Sequence, residues 1–249
     1  MSEIKQLSKA QLSQFDRDLM EPHAKDVFWK QLKRSFGVDS QITLNVLDIG
    51  GGNGLFADML IRHMPNIHVT VLDNSEYLLN QNKKSRNKSL VLGSADKIGE
   101  LFPMQKFDLI TINWVLHHLV GTSRQNTINT IKTVLLQAKM LLAEKGKLAI
   151  FENVMNGSLF DTYPNRVIYS LTSCNIPILT PFIRKHYFNT AGVGVFFMSH
   201  NMLKKYFSEV GLQIDNVLIS DEWFKNRLFR IGLMVHSIRV CNYWLNASN

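Results

Sequence analysis

The sequence predicts an α/β fold: a doubly wound, seven-stranded, mostly parallel sheet with an antiparallel last strand and a helical cap insertion. Three observations predict it. From residue 44 to residue 151, short apolar runs alternate with helical stretches, and that repetition implies right-handed crossovers between parallel strands. The last two strand-like runs are joined by about eight residues without a helical crossover, too few for a typical parallel unit, so they pair antiparallel at the sheet edge. Between residues 155 and 198 the rhythm breaks, in a segment with Pro164, Pro177 and Pro181, eight aromatics and only Asp161, Arg166, Arg184 and Lys185 as charges.

Each element follows from local pattern. The first forty residues read as helical, with Phe15, Leu19, Val27, Phe28 and Leu32 at apolar positions and an interruption at Pro22. Leu44 to Ile49 is a short apolar strand running into glycines, and a helix from Leu55 to about Met64 ends at Pro65. His68 to Leu72 forms the second strand, followed by a helix opening at Asn74-Ser75-Glu76. Leu90 to Leu92 and Phe107 to Ile112 form the third and fourth, and Thr127 to Leu142 is a long amphipathic helix closed by Gly146. Lys147 to Phe151 is the fifth strand. After the insertion come a helix from His200 to Val210, a strand from Leu212 to Ile219 and a last strand from Leu228 to about Ser237. The expected organisation is therefore an N-terminal helical cap over 1–39, a main domain over 40–238 with the cap insertion at 155–198, and a tail over 239–249.

Composition sets outer limits. A chain of 249 residues with 45% hydrophobic and 19% charged residues buries a sizeable core without staples, which excludes a disordered or fibrous protein. Cys174 and Cys241 lie far apart, and no Cys/His ligand spacing occurs, so neither a disulfide framework nor a metal site is expected. There is no apolar run long enough to span a membrane and no secretory leader pattern, so a cytoplasmic protein is expected. The net charge of +8 admits a nucleic-acid binder, an anionic membrane surface or merely a basic proteome. Basic clusters at Lys83–Lys88, Lys204-Lys205 and across Lys225–Arg239 read as solvated faces, with no RNA-binding signature among them.

The chemistry concentrates where strands end. In Val46-Leu47-Asp48-Ile49-Gly50-Gly51-Gly52-Asn53-Gly54 a strand feeds a glycine-rich turn at the start of a helix, which lets a ligand approach the main chain closely. Taken alone, the turn leaves the ligand open: Gly52 to Ala57 satisfies the loose dinucleotide-binding pattern, and Asp73 lies 21 residues beyond Gly52, where an acid binds ribose hydroxyls. Three features separate the readings. Asp48 puts a carboxylate inside the turn, useless to a phosphate but suited to a cationic amino-acid ligand. Gly93-Ser94-Ala95-Asp96 places a second acid where an adenine amino group could be recognised. The fourth strand and its exit read Phe107-Asp108-Leu109-Ile110-Thr111-Ile112-Asn113-Trp114-Val115-Leu116-His117-His118-Leu119.

This set resembles the class I S-adenosylmethionine-dependent methyltransferases of the small-molecule type, strongly over about residues 40–154 and by topology over 200–238. The resemblance implies S-adenosyl-L-methionine as cofactor. It implies that Asp48, Gly50, Gly52 and Gly54 shape the pocket for the methionine part, that Asp73 holds the ribose hydroxyls, and that Asn74 lies beside the adenine ring. Asp96, Ala95 and Lys97 would line the adenine, the Asn113 backbone carbonyl would receive the amino group, and Trp114 would border the sulfonium. Residues 1–39 and 155–198 fall where such enzymes keep substrate specificity.

Catalytic and acceptor-binding candidates are fewer. Methyl transfer from a sulfonium is an in-line displacement in which the protein mainly positions the nucleophile, and a base is needed only where the acceptor loses a proton. His118 is the first candidate base and His117 the second; the alternative for both is a turn packed beneath the cofactor. Glu152, Asn153, Tyr163, Arg166 and Tyr169 are candidates for the acceptor side, although aromatics at helical spacing also suit the insertion's own core. No carboxylate cluster suited to Mg²⁺ is apparent. The Asn-Pro-Pro-aromatic signature of nucleic-acid amino methylases is absent, since Asn113 is followed by Trp114-Val115, and this counts against DNA or exocyclic-amine methylation; a nucleic-acid partner is not expected.

The expected function is methyl transfer to a small, largely apolar or aromatic organic acceptor, by a monomer or homodimer. The alternatives are a lipid or isoprenoid-like acceptor met at a membrane surface, suggested by Ile176–Ile183 beside Arg184-Lys185; RNA methylation, resting on net charge alone; and a non-catalytic cofactor-binding partner subunit.

Overall fold

Runs of Val, Ile and Leu become strands here because helices cover both of their faces. The computed structural model describes residues 4–12, 22–37, 43–64, 66–174, 176–177, 179–186, 189–220, 222 and 227–247. In chain order these form α1 (Lys9–Leu12), α2 (Pro22–Phe36), β1 (Leu44–Ile49), α3 (Leu55–His63), β2 (Ile67–Asp73), α4 (Glu76–Leu79), β3 (Lys88–Leu92), α5 (Ile98–Leu101), β4 (Phe107–Asn113), α6 (Arg124–Leu141) and β5 (Leu142–Gly157). Then follow α7 (Tyr163–Ser173), α8 (Leu179–His186), α9 (His200–Glu209), β6 (Leu212–Ile219), α10 (Arg227–Gly232) and β7 (Val235–Ala247). Serine caps fix three helix starts: the hydroxyls of Ser75, Ser123 and Ser199 accept from the N–H groups of Leu78, Asn126 and Met202.

The sheet has the order β3-β2-β1-β4-β5-β7-β6, with β7 antiparallel to both of its neighbours and every other pair parallel. Side chains alternate between two cores, as the two-residue strand period demands. Leu47 and Ile49, Ile110 and Ile112, Leu148 and Ile150, and Tyr243 and Leu245 point to the face covered by α5, α6 and α9. Val46, Leu109, Ala149, Phe151 and Trp244 point to the opposite face, beneath α2 and α3. There Phe28, fully buried, meets Phe56 at 5.3 Å, Trp244 at 5.5 Å and Phe151 at 6.1 Å between ring centroids. The N-terminal helix is thus part of the core.

Pro22 opens α2, where a proline in the first turn has no intrahelical N–H to lose. Phe15 and Leu19 lie outside the described residues. The end of the chain differs from expectation. Arg227–Gly232, within the stretch expected as the last strand, is helical, and the strand itself runs from Val235 to Ala247 through most of the segment expected as a tail. Tyr243, Trp244 and Leu245, all fully buried, anchor it there.

The insertion packs over the end of β5. Val154 bridges Met198, Asn165 Nδ2 donates to the Phe197 carbonyl at 2.5 Å, and Ile168 is buried. The N-terminal segment reaches the same region: the Lys5 N–H donates to the Val120 carbonyl, Gln11 Nε2 to the Asn189 carbonyl at 2.6 Å, and Asn189 Nδ2 returns a bond to the Gln11 carbonyl at 3.0 Å. Among the described residues no helix is long and apolar enough to cross a membrane.

Candidate active site

The glycine turn after β1 is shaped from three sides. Gly50 has φ +71°, and a Cβ there would sit 2.4 Å from Val115 Cγ2 in the turn after β4. Gly54, φ +75°, is closed off more tightly: a Cβ would sit 1.7 Å from Asn82 Oδ1. Only glycine meets both demands cheaply. The N–H groups of Gly50 and Gly51 both donate to the Leu72 carbonyl at the end of β2, at 2.7 and 3.2 Å. Behind the turn, Asn82 Nδ2 donates to the Gly52 carbonyl at 2.8 Å, and Lys88 Nζ reaches Asn82 Oδ1 at 3.4 Å while pairing with Asp58 at 2.6 Å.

Two carboxylates are held under strain of burial. Asp48 accepts from Thr111 Oγ1 at 2.8 Å and Asn113 Nδ2 at 3.4 Å through Oδ1, whereas its buried Oδ2 has no hydrogen-bond partner. Burial pushes its pKa up to about 7, with Thr111 opposing and nearby Asp73 adding to the rise. Asp73, at the end of β2, accepts from the Gly52 N–H at 3.0 Å and the Ser75 N–H at 2.8 Å. Burial raises its pKa as well, with those backbone bonds opposing.

The exit of β4 carries the second half of the site. Trp114 adopts φ +54°, rare for a bulky residue, with its N–H donated to the Phe151 carbonyl at 2.8 Å. A tight turn over Leu116–His118 follows. His117 Nδ1 lies 2.5 Å from Glu152 Oε1, and the fully buried Glu152 also accepts from the backbone N–H groups of His117 at 3.2 Å and Asn153 at 2.8 Å. A carboxylate only accepts, so Nδ1 is the ring nitrogen that donates in this pair. The ring stacks on Phe197 of the insertion at 5.2 Å. His118 sits 4.0 Å from His117, ring to ring; burial, and then His117, hold its pKa well below the usual histidine range.

A cavity of about 1390 Å³ opens at the carboxyl ends of the strands, where open α/β sheets bind ligands. It is larger than the roughly 300–1,000 Å³ of a single-ligand pocket, so it has room for two molecules. Of the expected cofactor residues, Gly50, Gly52, Asp73, Asn74, Ala95, Asn113 and Trp114 line it. Asp48 and Gly54 support the turn from behind the lining. Asp96 and Lys97 are outside the lining: Asp96 Oδ1 accepts from Ser94 Oγ at 2.5 Å, and Lys97 is exposed. His117, His118 and Asn153 also line it. Glu152 does not, being spent on His117 and its own strand. Tyr163, Arg166 and Tyr169 are outside it too; Tyr169 packs edge-on against Phe196 at 5.8 Å and Arg166 is exposed. The residues that sequence reasoning passed over are Leu7 and Lys9 of the N-terminal segment, the supporting Asn82, and Asn242 of β7.

Residues 46–137 match the family model described as a methyltransferase domain. This stretch is a methyltransferase domain. Among curated proteins, the ribosomal RNA small subunit methyltransferase C of Haemophilus influenzae (strain PittGG) is 29% identical over 117 residues, 47% of this chain and 34% of that protein. The isoflavone 7-O-methyltransferase of Glycyrrhiza echinata is 28% identical over 113 residues, 45% of this chain and 29% of that protein. The match thus spans about a third of each relative's length. A solved S-adenosylmethionine-dependent methyltransferase of Leishmania major shares the fold with TM-score 0.58 at 16% identity, over 90% of this chain and 73% of its own.

The methyltransferase family implies S-adenosylmethionine as cofactor. The residues present fit it. The backbone of Gly50 to Gly52 faces the cavity where a Cβ at Gly51 would strike Asp48 Oδ2 at 2.4 Å, and Asp73 lines the wall with both oxygens fixed. Beneath the turn Asp48 keeps one buried carboxyl oxygen without a hydrogen-bond partner, which fits a cationic ligand group bound at the turn.

Proposed function

We propose that the protein transfers a methyl group from S-adenosylmethionine to a small, largely apolar or aromatic acceptor, with His117 as the base where the acceptor loses a proton. One observation carries this reading: a single cavity runs from the glycine turn and Asp73 to His117, Asn153 and Asn242, so cofactor residues and an oriented histidine share one space.

S-adenosylmethionine supplies an electrophilic methyl group on a sulfonium. Asp73 holds the ribose end, and the glycine turn admits the methionine end without side-chain hindrance. Trp114 and Phe151, with ring centroids 5.6 Å apart, offer an apolar wall to the acceptor. The N-terminal segment, clipped to the insertion by Gln11 and Asn189, excludes water from that space. Glu152 fixes the His117 tautomer, so that Nε2 takes the acceptor's proton and the resulting imidazolium faces a carboxylate. This arrangement favours His117 over His118, whose suppressed basicity makes it the poorer base.

The reading extends to a cytoplasmic monomer or homodimer, supported by two free cysteines, Cys174 and Cys241. Its test is release of S-adenosylhomocysteine with a panel of hydroxylated aromatics, with ribosomal RNA as the competing acceptor. Turnover on small acceptors that collapses in His117→Gln is expected; turnover on RNA alone overturns the assignment.

A lipid or isoprenoid-like acceptor at a membrane surface is the second reading. It is favoured by the exposed Ile176 and Phe182 beside the exposed Arg184 and Lys185. Co-sedimentation with anionic liposomes that vanishes at high salt supports it; none at low salt rejects it.

A further inference from the structure

Asn242 lies in the middle of β7, 2% exposed, and neither its amide nitrogen nor its amide oxygen has a hydrogen-bond partner. Such a group costs stability, because a buried amide gives up its hydrogen bonds to water and gains nothing in return. Its neighbours on the same strand face, Val240 and Trp244, are apolar and pack into the core beneath α2. An apolar residue would therefore suit this position for folding alone.

The sheet register shows what surrounds it. Asn113 pairs with Phe151, Phe151 with Asn242, and Asn242 with Leu218, and all four line the cavity. With strands about 4.8 Å apart, Asn113 and Asn242 stand about 10 Å from each other, with Phe151 between them. Asn113 belongs to the cofactor half. Asn242 therefore lies on the far side, about one substituted ring away. The charged residues of the cavity wall, Lys5, Lys9, Asp73 and Glu76, come from the N-terminal segment and the β2–α4 region. On the β5–β7 side the polar lining residues are Asn153, Ser220 and Asn242, and none is charged. An ion buried there would meet no countercharge.

We propose that Asn242 is the polar anchor of the acceptor subsite and selects an uncharged hydroxyl or carbonyl oxygen on a flat, otherwise apolar molecule lying over Phe151. The inference rests on the reading of the cavity as a methyl-transfer site. Its amide N–H groups donate to either kind of oxygen, and its carbonyl accepts from a hydroxyl. A site with an unsatisfied amide discriminates strongly against an analogue that lacks the oxygen, since that analogue leaves the amide unpaired.

The test uses the full chain saturated with S-adenosylhomocysteine, with 2-naphthol and naphthalene as probes in ligand-observed NMR titrations. Expected is 2-naphthol binding about tenfold or more tighter than naphthalene, with the difference lost in Asn242→Leu. The Leu variant keeps its affinity for S-adenosylhomocysteine and unfolds at the same or a higher temperature. Asn242→Ser, which leaves space instead of bulk, gives the same loss of discrimination if the Leu variant fails to fold. Equal binding of the two probes, absence of 2-naphthol binding, or discrimination that survives both variants overturns the proposal. So does a lowered midpoint in both variants, which marks the amide as structural. If S-adenosylhomocysteine itself does not bind, the underlying reading fails; if it binds and the probes are not discriminated, only Asn242 is at fault.

Discussion

Replacing Glu152 with glutamine probes the histidine–carboxylate pair without changing side-chain volume. The carboxylate accepts from His117 Nδ1 at 2.5 Å, the Asn153 N–H at 2.8 Å and the His117 N–H at 3.2 Å, and it is fully buried. Glutamine offers one acceptor oxygen and one NH₂. Whichever way the amide lies, at least one donor meets another donor, and the bond to the ring loses its charge assistance. Leaving a buried N–H unpaired costs about 1–3 kcal/mol. For a chain of this size each kcal/mol lowers the thermal midpoint by about 2–4 °C, so differential scanning calorimetry reads a fall of roughly 2–12 °C. No atom of Glu152 lines the cavity, so S-adenosylhomocysteine binding stays as in the parent protein. Methyl transfer to a hydroxyl acceptor drops by about 10²–10⁴. An unchanged or raised midpoint refutes the three-bond arrangement, and an unchanged rate refutes His117 as an oriented base.

Gly54→Ala forces a Cβ into left-handed backbone against Asn82 Oδ1, so the turn must shift; calorimetry should show S-adenosylhomocysteine affinity lowered by about tenfold, and parent-like affinity contradicts the tight closure. Asp48 makes a signed pH prediction. Its folded pKa of about 7 lies above the ordinary aspartate value of 3.8, so the folded state holds the proton more firmly and this group's contribution to stability declines as pH rises from about 4 to about 7. Asp48→Asn removes that decline. Denaturant melts of both proteins across this range should converge at the acid end and separate in favour of Asn by a few kcal/mol near pH 7, and parallel curves contradict the buried-acid account.

Much of the fold was legible because strand and helix periods are local. The first strand spans Leu44–Ile49 as expected, and the glycine turn, Asp73 and Asn113 meet at one cavity. What was not legible depends on contacts distant in sequence. Glu152 looks like a substrate-facing acid at the end of a strand, and only its position 35 residues from His117, yet 2.5 Å away in space, shows its partner. The stretch RLFRIG has the apolar content of a strand but turns once as a helix. The real last strand was hidden because Asn242 and Asn246 interrupt its apolar pattern. One of those interruptions is the cavity residue Asn242. Tyr163 and Arg166 were chosen from helical spacing, which defines a face but not what that face meets.

The central claim is that the cavity binds the methyl donor through the glycine turn and Asp73. Isothermal titration of the purified full chain with S-adenosylhomocysteine, in parallel with Asp73→Ala, tests it most directly. Asp73 anchors the Gly52 and Ser75 N–H groups and lines the cavity, so on the proposed reading its loss removes both the ligand contact and the fixed geometry of the turn. One site with micromolar affinity is expected in the parent protein, weakened by about tenfold or more in the variant. No heat of binding in a folded parent protein, or equal affinity in the two, contradicts it.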